Sequence, residues 1–536
     1  MAKKMLNGDQ AMAYGALDSG IRLAAGYPGS PSSGSMETLI GIAEDSGIYV
    51  EWSSNERVAL EMGIGTSIAG HRALICSKSV GLNVMMDPLM VLNLTPLHGG
   101  LVILLGDDPG GYGSQNDQDS RALAAALEMP ILEPAGPAEG YAMMREAYAL
   151  SERYQIPVFM RETRSFTQQE EWVSVAEDAI EAVDVDLIRE PFRFVPVPTN
   201  AVAKHRSLHE RIESVRFWAD RSTFNRFEGK GHHGIIAAGF AYRKLRDVLG
   251  DENPDGIGLL KLGVHFPLPI RIITEFMRNC QDILILEENE PFLESRIKAI
   301  AHEAGCPAKI FGKESDRIPR EGELFRWHIQ QGLEAVFPGI KRARQYREEN
   351  EPRERPSKKD YCVGCRYDEV LDALEAAAKS LGQRPLLVGD PGCLVTVADR
   401  LDAKYAIGSA IGVADGLSKA GAKERCVAVF GDSAFFHTAL PALCNAVHNR
   451  SNILMVILDN KATATSGFQV NPGVGRDAGG QDAPALDIER IAHACGVPHI
   501  TTCDLDAPQP ALDRTFKQAL SQADLTMIIV RIGGRD

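Results

Sequence analysis

One stretch limits the fold more than any other: CVAVFGDSAFFHTALPALCNAVHNRSNILMVILDN, residues 426–460. CVAVF reads as a buried strand, ALPALCNAVHN as a crossover helix and NILMVIL as a second buried strand, which together make one right-handed βαβ unit. Asp432 then leaves the carboxyl end of one strand and Asn460 that of its neighbour. Adjacent parallel strands lie about 4.8 Å apart, so the two side chains are expected to converge in the crevice where open α/β sheets bind ligands. A carboxylate and an amide oxygen are too few for calcium but suit magnesium, which takes its remaining ligands from phosphates and water. The ligand expected is a magnesium diphosphate. Gly431 is expected to let the chain turn sharply, and the amides at the helix start beyond it to meet phosphate oxygens. The plainer reading makes GDS a strand-ending turn and DN a helix stop. An Asn on the next strand, 28 residues on (432 to 460), favours the diphosphate.

The rest of the chain repeats this alternation of short apolar strands and helices, the mark of doubly wound parallel α/β domains. RALICS (72–77) and GLVILLGDD (100–108) are the clearest strands of a first block, residues 1–165. GIIAAGFAYRKLRDVLG (234–250) and DILILEENEPFLESRIKAIA (282–301) are each strand, turn and helix in a second block, residues 231–339. YDEVLDALEAAAKSL (367–381) lies near the start of a third, residues 361–536. Residues 166–230 are polar, Arg-rich and weakly periodic, and read as a connecting segment. IKRARQYREENEPRERPSKKD (340–360), densely charged and almost without apolar residues, reads as a linker.

A chain of 536 residues is long for one core. With 44% hydrophobic and 24% charged residues, its composition is that of a soluble globular protein that needs no disulfide or metal staples. A formal net charge of −15 argues against nucleic acid or an anionic membrane as the main partner. No segment approaches a signal peptide or a membrane span in apolar length, so the expected location is the cytoplasm. Among ten cysteines, Cys76, Cys426 and Cys444 fall in apolar patterns and read as reduced core thiols. Cys362 and Cys365 of YCVGCRYDE (361–369), with Cys393 of GDPGC, stand where turns present them. Zinc is disfavoured there because no second ligand pair lies at finger spacing. A redox dithiol is disfavoured because the motif follows a charged linker.

GDS followed by DN at this spacing resembles the thiamine diphosphate motif, and its particular form is similar to that of the alpha subunits of the indolepyruvate ferredoxin oxidoreductase family. AAGYPGSPSS (24–33), YVEWSSNERVALE (49–61), VGLNVMMDPLM (80–90), GDDPGGYGSQNDQDSR (106–121), LKLGVHFPLPIRIITEF (260–276) and GDPGCL (389–394) match its pattern in order. The resemblance covers nearly the whole chain. It implies three doubly wound parallel-sheet domains of the thiamine diphosphate-binding fold: pyrimidine-binding, transketolase-C-like and diphosphate-binding.

The resemblance also implies roles. Mg2+ would be held by Asp432, Asn460 and the backbone carbonyl of Ala462, with Gly431 and Ser433 beside the diphosphate. Glu56 would hydrogen-bond the cofactor's pyrimidine nitrogen, with Glu61 as an alternative. Protonating that nitrogen favours the imino tautomer, whose nitrogen can remove the thiazolium proton. Tyr27 and Ser30 belong to the loop GYPGSPSS, whose hydroxyls and amides would face a substrate carboxylate or carbonyl; the family usually has Thr where Ser30 stands. Gly408 and Ser409, in IGSAIGVADG with Gly412, would open a helix near the diphosphate, although an Ala/Gly helix packed tightly on a sheet explains the same letters. His437 would neighbour the cofactor or make a structural hydrogen bond.

The activity implied is oxidative decarboxylation of an arylpyruvate-type 2-oxoacid to an acyl-coenzyme A. Electrons would pass to ferredoxin or another acceptor through a smaller beta subunit, with the alpha chain paired as a homodimer within the heteromer. The sequence departs from the family at the cysteines. The family's C-terminal ferredoxin-like cluster motifs are not found here, and its CxGC continues Pro-His where this chain has Arg366 and Tyr367. Two readings stay open: Cys362, Cys365 and Cys393 hold an iron–sulfur cluster with a fourth ligand, or they are the remnant of one. A non-oxidative decarboxylase or carboligase is the alternative activity.

Overall fold

The apolar runs read as strands form the middles of parallel sheets. In the computed structural model, which describes residues 2–176, 189–190, 192–348 and 365–533, Cys362 and residues 349–360 of the charged segment lie outside the described residues. The chain divides into two units, Met1–Glu354 and Arg355–Asp536.

The first unit contains two large sheets. The seven-stranded one runs Val264–Phe266, Ile131–Leu132, Val158–Thr163, Leu101–Asp107, Arg72–Lys78, Ile21–Gly26, Tyr49–Trp52. Its strands are parallel except for the antiparallel edge pair of Val264–Phe266 with Ile131–Leu132. Leu101–Asp107 is buried along its whole length, as a central strand covered on both faces must be. The five-stranded sheet runs Lys309–Phe311, Asp282–Leu286, His233–Ala238, Ile257–Leu262, Arg226–Glu228, with the last pair antiparallel. Because Val264–Phe266 belongs to the second block of sequence and completes the edge of the first block's sheet, the two blocks share backbone hydrogen bonds.

The described residues of 166–230 include a strand and a long helix that the weak periodicity does not suggest. Glu171–Val175 pairs antiparallel with Ala2–Leu6, and helix Ala201–Ala219 buries Leu208, Ile212, Val215 and Ala219. The polar remainder of that helix hides a single apolar stripe.

The second unit is one six-stranded, wholly parallel sheet: Ala403–Lys404, Leu386–Gly389, Cys426–Gly431, Leu454–Asp459, Thr526–Arg531, His499–Asp504. Helices Tyr367–Ser380 and Gln509–Ser521 supply the core on one face; Ala410–Lys419, Leu440–His448 and Ile488–Cys495 supply it on the other. Cys76 and Cys426 are buried as expected, but Cys444 is exposed, with its Sγ 4.0 Å from that of Cys495. Its helix turns that position outward between the buried Leu443 and Ala446. Among the described residues no helix is long and apolar enough to cross a membrane.

Charges buried in the first unit tie its two sheets together. Arg161, solvent-inaccessible on Val158–Thr163, donates to Asp107 Oδ2 at 2.7 Å, to Asn289 Oδ1 at 2.9 Å and to Glu133. Arg121 pairs with Asp119 at 2.6 Å and Glu287 at 2.9 Å, and Lys244 with Glu288 at 2.6 Å and Glu323 at 2.8 Å. Removing one partner of such a group leaves an uncompensated buried charge. Arg161→Ala should destabilise the first unit by about 3–5 kcal/mol in denaturant unfolding. Arg226→Ala, which breaks a half-exposed pair with Glu228, should cost under about 1 kcal/mol.

Candidate cofactor site

The chain-order reversal of the second unit falls between Leu386–Gly389 and Cys426–Gly431, because the chain passes outward to Ala403–Lys404 and returns on the other side. Ligand crevices in open α/β sheets form at such switch points, outside the carboxyl ends of the strands. Three acids mark those ends here: Asp390, Asp432 and Asp459, all buried.

Asp432 starts a short helical turn, Asp432–Ala434, which continues through a π-turn, Phe435–Ala439, into Leu440–His448. Asn471 Nδ2 donates to Asp432 Oδ2 at 2.9 Å, and the backbone N–H of Ser433 donates to Oδ1 at 2.9 Å. The amide head of Asn460 places one terminal atom 3.1 Å from Asp432 Oδ1 and 3.0 Å from the carbonyl oxygen of Ala462. With its nitrogen there, Asn460 satisfies both acceptors; with its oxygen there, three oxygens gather where only a cation relieves them. That donor set fits a magnesium ion. Lys461, in the left-handed region at φ 56°, carries the backbone between Asn460 and Ala462 and pairs with Asp459 Oδ2 at 3.0 Å, while Asp459 Oδ1 is buried without a hydrogen bond. Burial pushes the Asp432 carboxyl up to about 7, with Asp459 adding to it and the bond from Asn471 opposing it.

Asp390 holds the other wall. Its carboxylate accepts the backbone N–H of Gly408 at 2.6 Å and of Ala410 at 2.8 Å, which fixes the start of helix Ala410–Lys419. Burial raises its carboxyl to about 7 despite these bonds. Gly408 is required: its φ is 79°, and a Cβ would lie 2.1 Å from Thr438 Oγ1. Ser409 Oγ is buried without a hydrogen-bond partner. Gly412 and Gly416 have nothing within 4 Å of the point where a Cβ would sit, so tight packing against the sheet is not what selects those glycines. His437 is buried in the π-turn, with Nδ1 3.2 Å from Thr438 Oγ1. Ser433 Oγ lies 2.9 Å from Thr463 Oγ1.

The expectation for Gly431 is corrected. Its backbone is ordinary extended chain at φ −82°, so no sharp turn calls for glycine. A side chain there would project towards the hydroxyl of Tyr367, 3.7 Å from the Cβ position. Tyr367 is buried and hydrogen-bonds Cys393; burial raises its phenol, with Cys393, Asp432 and Cys365 adding to the effect. Cys365 and Cys393 both pack against the core beside it, and Cys365 Sγ lies 3.7 Å from Thr396 Oγ1. In the sequence Tyr367 stands out only as a departure from a family pattern, and no local signal points to Asn471 or to the clamp made by Asp390.

In the first unit, Glu56 and the Tyr27–Ser30 loop share the carboxyl edge of the seven-stranded sheet. Gly26 and Trp52 are register partners, and Ser53 N–H donates to Gly26 O at 2.8 Å, so the segments leading to both sites leave adjacent strand ends. Glu56 is buried at the first position of helix Glu56–Ile68, which Asn55 caps through Val58 N at 2.9 Å. A Cβ on Gly81 would come within 2.6 Å of Glu56 Oε1 and 2.4 Å of Ser77 Oγ. Glu61, by contrast, is half-exposed and paired with Arg57 at 2.9 Å. Tyr27 is half-buried and Ser30 exposed. The loop is braced by Gly29 N–H to Ser33 Oγ at 2.9 Å.

The chain is similar to proteins of known family. Residues 14–205 match the family "Pyruvate flavodoxin/ferredoxin oxidoreductase, thiamine diP-bdg", and residues 403–530 match "Thiamine pyrophosphate enzyme, C-terminal TPP binding domain". Fold and matches together define a thiamine diphosphate-dependent enzyme of the 2-oxoacid oxidoreductase class. Indolepyruvate oxidoreductase subunit IorA of Pyrococcus abyssi is 35% identical over 98% of this chain and 85% of its own length, and that of Methanothermobacter marburgensis is 35% identical over 98% and 86%. The chain belongs to the IorA family of indolepyruvate oxidoreductases. The 2-oxoglutarate synthase subunit KorA of Archaeoglobus fulgidus is more distantly similar, 26% identical over 54% of this chain and 89% of its own.

Because proton and metal compete for a carboxyl that titrates near 7, magnesium affinity should rise with pH up to about 7 and level off above it. Below that value it should fall about tenfold per pH unit. Calorimetric titration of magnesium in the presence of thiamine diphosphate measures this, and Asp432→Ala should abolish the binding. Gly81→Ala, by displacing Glu56, should lower turnover while leaving that magnesium titration unchanged.

Proposed function

We propose that this chain is the cofactor-binding subunit of an enzyme that oxidatively decarboxylates an arylpyruvate-type 2-oxoacid, of the indolepyruvate kind, to an acyl-coenzyme A. Electrons leave to ferredoxin or another acceptor through a smaller partner subunit. The observation that carries the proposal is the convergence of the Asp432 carboxylate, the Asn460 amide and the Ala462 carbonyl at the carboxyl ends of neighbouring parallel strands. The name shared by the IorA relatives supports the substrate class.

Thiamine diphosphate, when bound with magnesium, supplies the nucleophilic carbon and electron sink that decarboxylation of a 2-oxoacid requires. Asp432, Asn460 and the Ala462 carbonyl would hold the metal. Gly431 leaves room beside Ser433 for the diphosphate, and Gly408 with the Ser409 hydroxyl presents the amino end of helix Ala410–Lys419 to it. His437 is a polar neighbour there. In the first unit, the buried Glu56 carboxyl is the group that would hydrogen-bond the pyrimidine nitrogen of thiamine diphosphate. The hydroxyls of Tyr27 and Ser30 orient the substrate's carboxylate or carbonyl. Two such chains pair within a cytoplasmic heteromer, and Cys362, Cys365 and Cys393 are either ligands of an iron–sulfur cluster or what is left of one.

The test is turnover by the anaerobically purified complex with its partner subunit, supplied with thiamine diphosphate, magnesium, coenzyme A and a panel of aryl and aliphatic 2-oxoacids. Acyl-coenzyme A and reduced acceptor should form fastest from arylpyruvates. Glu56→Gln should lower kcat by about 100-fold or more while thiamine diphosphate still binds. A complex without iron that releases aldehyde with no acceptor present would overturn the oxidative reading in favour of a non-oxidative decarboxylase.

A further inference from the structure

The first unit carries a trio of side chains that the proposed chemistry does not use. His205 and His209 stand four residues apart on helix Ala201–Ala219, so both rings project from the same face. Their centroids are 4.4 Å apart. Between them comes Glu128, from the loop that follows helix Ser120–Ala126. His205 Nε2 lies 2.6 Å from Glu128 Oε2, and His209 Nε2 lies 2.8 Å from Glu128 Oε1. One ligand atom from each of the three lies within 4.8 Å of the others, and among the described residues no other trio of His, Cys, Asp or Glu is gathered in this way.

The framework around the trio holds without any ion. Leu208, Ile212 and Val215 anchor the helix by burial. Arg211 donates to the carbonyl oxygens of Gln155 at 2.6 Å and Asn93 at 3.0 Å. Asn93 in turn donates from Nδ2 to Leu127 O at 2.9 Å, next to Glu128. Glu128 itself sits in the left-handed region at φ 55°, an uncommon conformation for a residue other than glycine, with its N–H bonded to Ala125 O at 3.0 Å. Helix and loop are therefore fixed with the three groups already facing one another.

We propose that Glu128, His205 and His209 form a surface site for a divalent transition metal of the zinc type. Two imidazole nitrogens and one carboxylate oxygen are a recurrent three-ligand zinc set with the fourth position left to water. The nitrogen pair selects zinc, nickel or copper over magnesium or calcium, which prefer oxygen. Without metal, each Nε2–H donates to one carboxylate oxygen. With metal, the ring protons stand on Nδ1 and all three groups turn lone pairs onto the ion. Side-chain exposures of 51% and 57% for the histidines and 28% for Glu128 leave the position open to ions from solvent. The bound metal would brace helix Ala201–Ala219 against the 127–128 loop.

The test uses the full chain, stripped with chelator and titrated with zinc by calorimetry, beside His205→Ala, His209→Ala and Glu128→Gln. Wild type should bind one more equivalent than each variant, or bind it at least about tenfold more tightly. Zinc should raise the melting temperature of wild type more than that of the variants. Cobalt bound at this position should show ligand-field bands free of thiolate charge transfer. Equal stoichiometry and affinity in all four proteins would overturn the proposal. So would a cobalt spectrum in wild type made up wholly of thiolate-type bands, which would place the metal on cysteines.

Discussion

Two guanidinium groups without access to solvent govern the first unit. Arg161 needs Asp107, Glu133 and Asn289; Arg121 needs Asp119, Glu287 and the carbonyl of Glu288. These partners come from both sheets, so neither sheet can shift without stranding a charge whose desolvation costs several kcal/mol. The same network reaches the loop after Leu101–Asp107, because Asp117 accepts from Asn289 at 3.1 Å and from Gly110 N–H at 3.0 Å. That loop returns to the candidate site through Lys78, whose ammonium donates to Gly113 O at 2.6 Å. The buried ion pairs are thus linked by hydrogen bonds to Lys78, which lies beside Gly29 of the Tyr27–Ser30 loop.

The second unit solves a related problem three times. Asp390, Asp432 and Asp459 stand buried at the ends of three adjacent parallel strands, and burial raises the carboxyls of Asp390 and Asp432. Asp390 is satisfied by two backbone amides, whereas Asp459 pairs with Lys461 through Oδ2 alone. Asp432 has one oxygen engaged by Asn471 and the other by the backbone N–H of Ser433, with the Asn460 amide beside it. What distinguishes Asp432 from its neighbours is the set of groups it faces, the Asn460 amide beside the Ala462 carbonyl, not its residue type.

Much of this was legible in residue order, for identifiable reasons. The GDS and DN pair lies on one βαβ unit, whose handedness and strand spacing leave little freedom, so the convergence of Asp432 and Asn460 follows from local pattern. Glu56 and Glu61 were not separable in that way. Both lie on one helix, and only packing shows Glu56 against Gly81 and Glu61 in solvent. Asn471 reaches Asp432 from a long loop with no regular period, and Asp390 acts on Gly408 and Ala410 across a crossover. No spacing rule announces either contact. The segment 166–230 looked featureless because its helix is polar on all but one stripe, and Cys444 looked internal because apolar neighbours obscured which way it pointed.

By itself, the order of residues determined the fold class, the three large sheets, the strand ends that carry acids and the family to which the chain belongs, since these depend on periodicity and on motifs only tens of residues long. Tertiary structure decided which of three strand-end acids faces the Asn460 amide and the Ala462 carbonyl, and which glutamate is buried. It also decided which glycines are needed for conformation, Gly408 and not Gly431, and that Glu128 meets two histidines from a distant helix. Those outcomes depend on desolvation and on contacts between segments far apart in the chain, and both come into being only when the chain has closed around them.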